Sequence, residues 1–84
     1  MSAATLGRPR VSQPVTPELG KIGENIRDAR IDAGWSVDQA CAQAEIDRST
    51  WYRIEGGQHN IPLMQLLSIA DVLGVHQSDL IDFE

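Results

Sequence analysis

With 84 residues the chain has room for one domain, and a core of that size holds only if its elements are short, helical and closely packed. A multidomain enzyme is not the expectation at this length. Hydrophobic residues make up 42% of the sequence, enough for a folded globule, while the formal net charge of −5 has the sign that nucleic-acid binders usually avoid.

The first residues, MSAATLGRPRVSQPVTPELG, place Pro9 and Pro14 among Ser, Thr, Gly and Gln with few bulky apolar residues. That composition describes a flexible arm, residues 1–19, ahead of one domain at 20–84. The stretch lacks the apolar core of a secretory signal and is read as a retained cytoplasmic segment. No apolar run approaches the roughly 18 residues of a membrane span. Charge divides near the same boundary. Residues 1–21 hold Arg8, Arg10 and Lys21 against Glu18, whereas residues 22–84 hold Arg27, Arg30, Arg48 and Arg53 against eleven acidic residues, a formal −7. The arm is the basic part.

In IGENIRDARIDAG the residues Ile22, Ile26, Ala29 and Ala33 follow a helix stripe, and Gly34 supplies a stop. Ser36 stands three residues before Gln39, the pattern of a reciprocal cap, and predicts a second helix over 37–44. Asp47 can accept from the free N–H groups of a third helix, 48–55, whose inward face is Trp51 and Ile54 and whose end is Gly56-Gly57. The run PLMQLLSIADVLG starts a fourth helix with a proline, puts Leu63, Leu66, Leu67, Ile69, Ala70 and Leu73 on an apolar face, and closes at Gly74. His76 or Ser78 can cap a short fifth helix carrying Leu80 and Ile81, with Phe83 near the end. No segment alternates like a strand, so the fold class is all-α.

Cys41 is a single cysteine and is read as a small buried thiol. With His59 and His76 it falls short of the roughly four ligands of a zinc site. The two histidines form no catalytic grouping, and no phosphate loop is present. The expectation is a protein that is not an enzyme, with no catalytic residue, no cofactor and no metal.

Two short helices joined by a turn at Glu45, Ile46 and Asp47 outline a DNA-reading motif. With IGENIRDARIDAGWS before it, RSTWYRIEGG within it and LLSIADVLGV after it, the chain resembles the lambda repressor and Cro family of helix-turn-helix proteins over Gly20 to Asp82. Arg30, Ser36, Ile46, Ile54, Glu55, Gly57, Leu66, Ile69, Ala70, Leu73 and Gly74 fall in register. The resemblance implies a compact five-helix domain in which residues 37–44 support and residues 48–55 enter the major groove of double-stranded DNA. It assigns base-facing positions to Arg48, Ser49, Tyr52 and Arg53, a buried position to Trp51, and a partly buried structural ion pair to Arg30 and Glu55. Chemistry suits these roles: a planar guanidinium matches guanine O6 and N7, and one good bidentate pair discriminates by about 1–3 kcal/mol.

The sequence departs from the family pattern in three places. Val37 stands where a phosphate-contacting Gln is usual, and Glu45 stands where a turn glycine is usual. The loop after the third helix reads GQHNI, so Gln58 and Asn60 are left as hydrogen-bonding DNA contacts with little positive charge. A domain of formal −7 is expected to hold nonspecific DNA weakly, with Arg8 and Arg10 of the arm following the backbone or minor groove.

The reading reached is a sequence-specific transcriptional regulator, a small repressor acting as a homodimer through Leu80, Ile81 and Phe83. The alternative is a protein-binding module on the same fold, such as an antitoxin, an antirepressor or an accessory subunit.

Overall fold

The computed structural model describes residues 15–83, and among these every regular element is a helix. They are α1 (Pro17–Asp32), α2 (Val37–Ala44), α3 (Arg48–Glu55), α4 (Leu63–Leu73) and α5 (Gln77–Leu80). The arm residues 1–14, including Arg8 and Arg10, lie outside the described residues.

α1 begins earlier than its apolar stripe suggests. The Thr16 hydroxyl accepts from the Leu19 N–H at 3.0 Å, Pro17 occupies the first turn, where its missing N–H leaves nothing unsatisfied, and Glu18 complements the helix dipole. Pro17 to Leu19, counted with the arm on composition, are therefore helical. At the other end the stripe stops at Ala29, because Ala33 is the C-cap and is exposed.

α2 and α3 occupy the predicted spans. Ser36 and Gln39 cap each other reciprocally, and Asp47 caps α3. His76, rather than Ser78, caps α5: its Nδ1 accepts from the Ser78 N–H at 3.2 Å.

The core is built from Ile26, Ala40, Cys41, Ile46, Trp51, Ile54, Leu66, Ile69, Ala70, Leu73 and Leu80. α3 packs between α1 and α2, and α4 closes the bundle against α1, α2 and α5. Leu63 is a correction to the apolar face of α4, since its side chain is 67% exposed in the first turn, beyond the reach of the packed helices. Leu80 is a second correction: it is buried in its own chain, so Ile81 and Phe83 are left as the apolar surface of the C-terminal segment.

α1 and α3 meet unusually closely. A Cβ built on Gly23 would lie 2.5 Å from the carbonyl oxygens of both Ile54 and Glu55, so only glycine permits the crossing. This contact sets how far α3 sinks into the bundle, and hence how much of it remains on the surface.

Candidate nucleic-acid interface

The motif is a helix, a three-residue turn and a second helix. Glu45 makes the turn in the left-handed region, φ 58 and ψ 44, where a side chain is normally disfavoured. Ile46 follows it into the core, and its N–H bonds to the Cys41 carbonyl at 3.0 Å, so the turn is pinned by packing as well as by backbone bonding.

The first turn of α3 is held by Asp47. Its carboxylate accepts from the Ser49 hydroxyl at 2.7 Å, the Thr50 hydroxyl at 2.8 Å and the Thr50 N–H at 3.1 Å. These bonds favour the ionised form, that of Ser49 most, and lower its pKa from 3.8 to about 2. The hydroxyl proton of Ser49, a residue expected at a base-facing position, is directed to Asp47.

Trp51 and Ile54 are fully buried, which turns Arg48, Ser49, Tyr52 and Arg53 to the exposed side of α3. Tyr52 is 55% exposed. Arg48 forms an ion pair with Asp38 on α2, a partner the sequence reading did not identify. Arg53 makes no ion pair among the described residues. In the following loop, Gln58 is half-buried and its amide donates to the Gly56 carbonyl at 3.5 Å, while Asn60 is exposed. His59 and Gln65 hydrogen-bond at 3.1 Å, tying this loop to α4.

Behind the face, Arg30 of α1 meets Glu55 of α3. Arg30 Nε donates to Glu55 Oε2 at 2.7 Å, Nη2 donates to Oε1 at 3.3 Å, and Nη1 reaches the Trp35 carbonyl at 3.0 Å. Trp51 Nε1 adds a donor to Glu55 Oε2 at 2.6 Å. The sequence reading missed this indole bond, although its spacing of four along a helix is a signal for contact. It also missed Val15, whose N–H bonds to the Gly57 carbonyl at 2.9 Å and fixes the start of the described chain beside the end of α3.

A family model described as a helix-turn-helix domain matches residues 21–82. The chain belongs to the helix-turn-helix family. Solved structures agree. The restriction-modification controller protein C.AhdI from Aeromonas hydrophila is 29% identical, with 77% of this chain and 98% of that one covered and a TM-score of 0.74. SinR, the master regulator for biofilm formation, solved in complex with DNA, is 27% identical over 73% of this chain and 98% of that one, TM-score 0.67. A SinR protein/SinI protein complex matches at 28% identity over 74% of this chain and 61% of that one, TM-score 0.67. No curated protein is similar enough in sequence to match. Within this helix-turn-helix domain α2 and α3 are the two helices joined by the turn, and the fold is that of DNA-binding transcription regulators. No helix among the described residues is long and apolar enough to cross a membrane.

Proposed function

We propose that this helix-turn-helix protein is a sequence-specific regulator, a small cytoplasmic repressor that inserts α3 into the major groove as a homodimer. One observation carries the reading. The exposed side of α3 presents Arg48, Ser49, Tyr52 and Arg53 opposite the buried Trp51 and Ile54, so the most polar side of the helix is the side that faces outward from the motif. Gln58 and Asn60 extend this surface as hydrogen-bonding groups, and Arg8 and Arg10 supply positive charge ahead of α1.

Of the formal −7 of residues 22–84, charge on the far side of the domain is screened within about 8–10 Å at ordinary salt, whereas Asp38, Glu45 and Asp47 belong to the motif itself. The negative balance keeps sequence-independent attraction low. Two copies paired through Ile81 and Phe83 would set their recognition helices about 34–36 Å apart and read a pseudo-palindrome. Selection from a random duplex pool tests the reading: an enriched sequence with two-fold symmetry supports it, and no enrichment even at low salt contradicts it.

A second reading, a protein-binding module, is favoured by Asp38, Glu45 and Asp47, three carboxylates in the motif around Arg48. The solved SinR protein/SinI protein complex is in keeping with it. Failed enrichment together with capture of one host protein, lost on substituting Tyr52, would favour this reading.

A further inference from the structure

The ion pair between Arg48 and Asp38 joins the two helices of the motif across its turn. Asp38 is in the first turn of α2, and Arg48 is the first residue of α3. The Arg48 side chain is 61% and that of Asp38 68% exposed, and an ion pair so open to water adds little stability. Its consequence is for charge and direction. The N-terminus of α3 and its arginine would otherwise attract any phosphate. Instead, that end is lined by two carboxylates, Asp38 on Arg48 and Asp47 on the hydroxyls of Ser49 and Thr50. Later in the same helix, Arg53 has no such partner among the described residues.

We propose that Asp38 is a positioning and specificity-determining residue of the DNA-reading face: its carboxylate holds Arg48, suppresses that arginine's attraction to phosphate in general, and leaves the remaining guanidinium donors for a base edge. The inference rests on the DNA reading above. A guanidinium has five N–H donors in a planar fork, and Asp38 engages it at Nη2. Guanine needs two donors, for O6 and N7, so Arg48 can satisfy a matched base while keeping Asp38. A phosphate fits the same fork, but it is negatively charged where the guanine edge is neutral. To grip it, Arg48 must leave Asp38, or the phosphate must sit beside that carboxylate and be repelled by it. Random duplex, where phosphate contacts supply the affinity, therefore loses more from Asp38 than a matched site does. Asp38 lowers overall affinity and raises selectivity.

The test uses Asp38→Asn in the full chain, with two probes: the duplex enriched from a random pool by the unsubstituted protein, and an unselected random duplex. Both are titrated across a range of salt. Affinity for the random duplex should rise roughly fivefold near 0.1 M salt, with the salt slope steeper by about one contact. On the enriched duplex the rise should stay under about twofold, so selectivity falls. Asp38→Glu should keep most of the selectivity. Asp71→Asn, which removes an exposed charge on α4, should shift both duplexes alike and slightly. The proposal is overturned if Asp38→Asn behaves like Asp71→Asn, or if the slope and the ratio are unchanged while the unsubstituted protein discriminates. An unsubstituted protein that fails to distinguish the two duplexes overturns the DNA reading and this inference with it.

Discussion

Trp51 and Glu55 are bonded one turn apart in α3, indole Nε1 to carboxylate Oε2 at 2.6 Å, and the same oxygen receives Arg30 Nε at 2.7 Å. Glu55 is thus the acceptor for a buried tryptophan and for an arginine from another helix, with its side chain only 9% exposed. It couples the inward face of α3 to α1.

Replacing Glu55 with Ala strands two donors, the Arg30 guanidinium and the Trp51 indole. Breaking one partner of a buried pair typically costs about 3–5 kcal/mol. In a domain of this size the melting temperature should fall by more than about 10 °C. Glu55→Gln keeps an acceptor for Trp51 and should fall less. Thermal denaturation followed by circular dichroism measures both, and a loss within experimental error for Glu55→Ala would show that the pair contributes nothing.

Gly23→Ala should also destabilise the protein, although alanine is the better helix former by about 0.8–1.0 kcal/mol. The added carbon would meet two backbone carbonyls at 2.5 Å, and backbone cannot swing aside. Overpacking of this kind costs about 1–3 kcal/mol. Urea titration should place the midpoint lower, and an equal or higher midpoint would mean that α1 and α3 separate freely.

Asp47 makes stability depend on pH in a defined window. Its folded pKa is lowered from 3.8 to about 2, so its contribution is complete above the unfolded value and is lost as pH falls from near 4 through about 2. Asn can cap a helix without ionising. Wild type should therefore exceed Asp47→Asn in melting temperature at neutral pH, and the gap should close as pH drops across that window. A gap independent of pH would assign the role of Asp47 to shape rather than charge.

Ile81 is 46% and Phe83 49% exposed, and their segment is held to α1 by the Asn25 amide, which donates to the carbonyls of Leu80 at 3.0 Å and Asp82 at 2.8 Å. If these residues pair two copies, sedimentation should find a dimer, and Phe83→Ser should shift it toward monomer while leaving the helical signal unchanged. A monomer both free and on duplex would contradict the pairing.

What the sequence made legible was local. Ser36 with Gln39, and Asp47 ahead of Thr50, are caps acting within four residues, and they placed α2 and α3 to the residue. The left-handed turn at Glu45 followed from the family resemblance, which puts a glycine at that position, and not from the neighbouring residues. The start of α1 was hidden by the Pro-rich composition before it, even though Thr16-Pro17-Glu18 is a helix start in chemistry. Leu63 obeys the periodicity of α4 yet projects past its packing partners, something periodicity alone does not register. The Asp38–Arg48 pair and the approach of Gly23 to the α3 carbonyls depend on how separate helices are set against one another, and no spacing within one helix encodes that.

Arg48 and Arg53 are the residues of the proposed DNA-reading face expected to discriminate sequence. Their single Ala substitutions should each cost about 1–3 kcal/mol on the enriched duplex and much less on random duplex. Arg53, without an ion-pair partner among the described residues, should show the larger loss of the two in total affinity, because nothing offsets its charge. The most direct measurement is the affinity of the Arg48→Ala/Arg53→Ala protein for the duplex that the unsubstituted protein enriches, with circular dichroism confirming the fold. Binding reduced to the level of random duplex is the predicted result, and unchanged binding to the enriched duplex would contradict the assignment of this face to DNA.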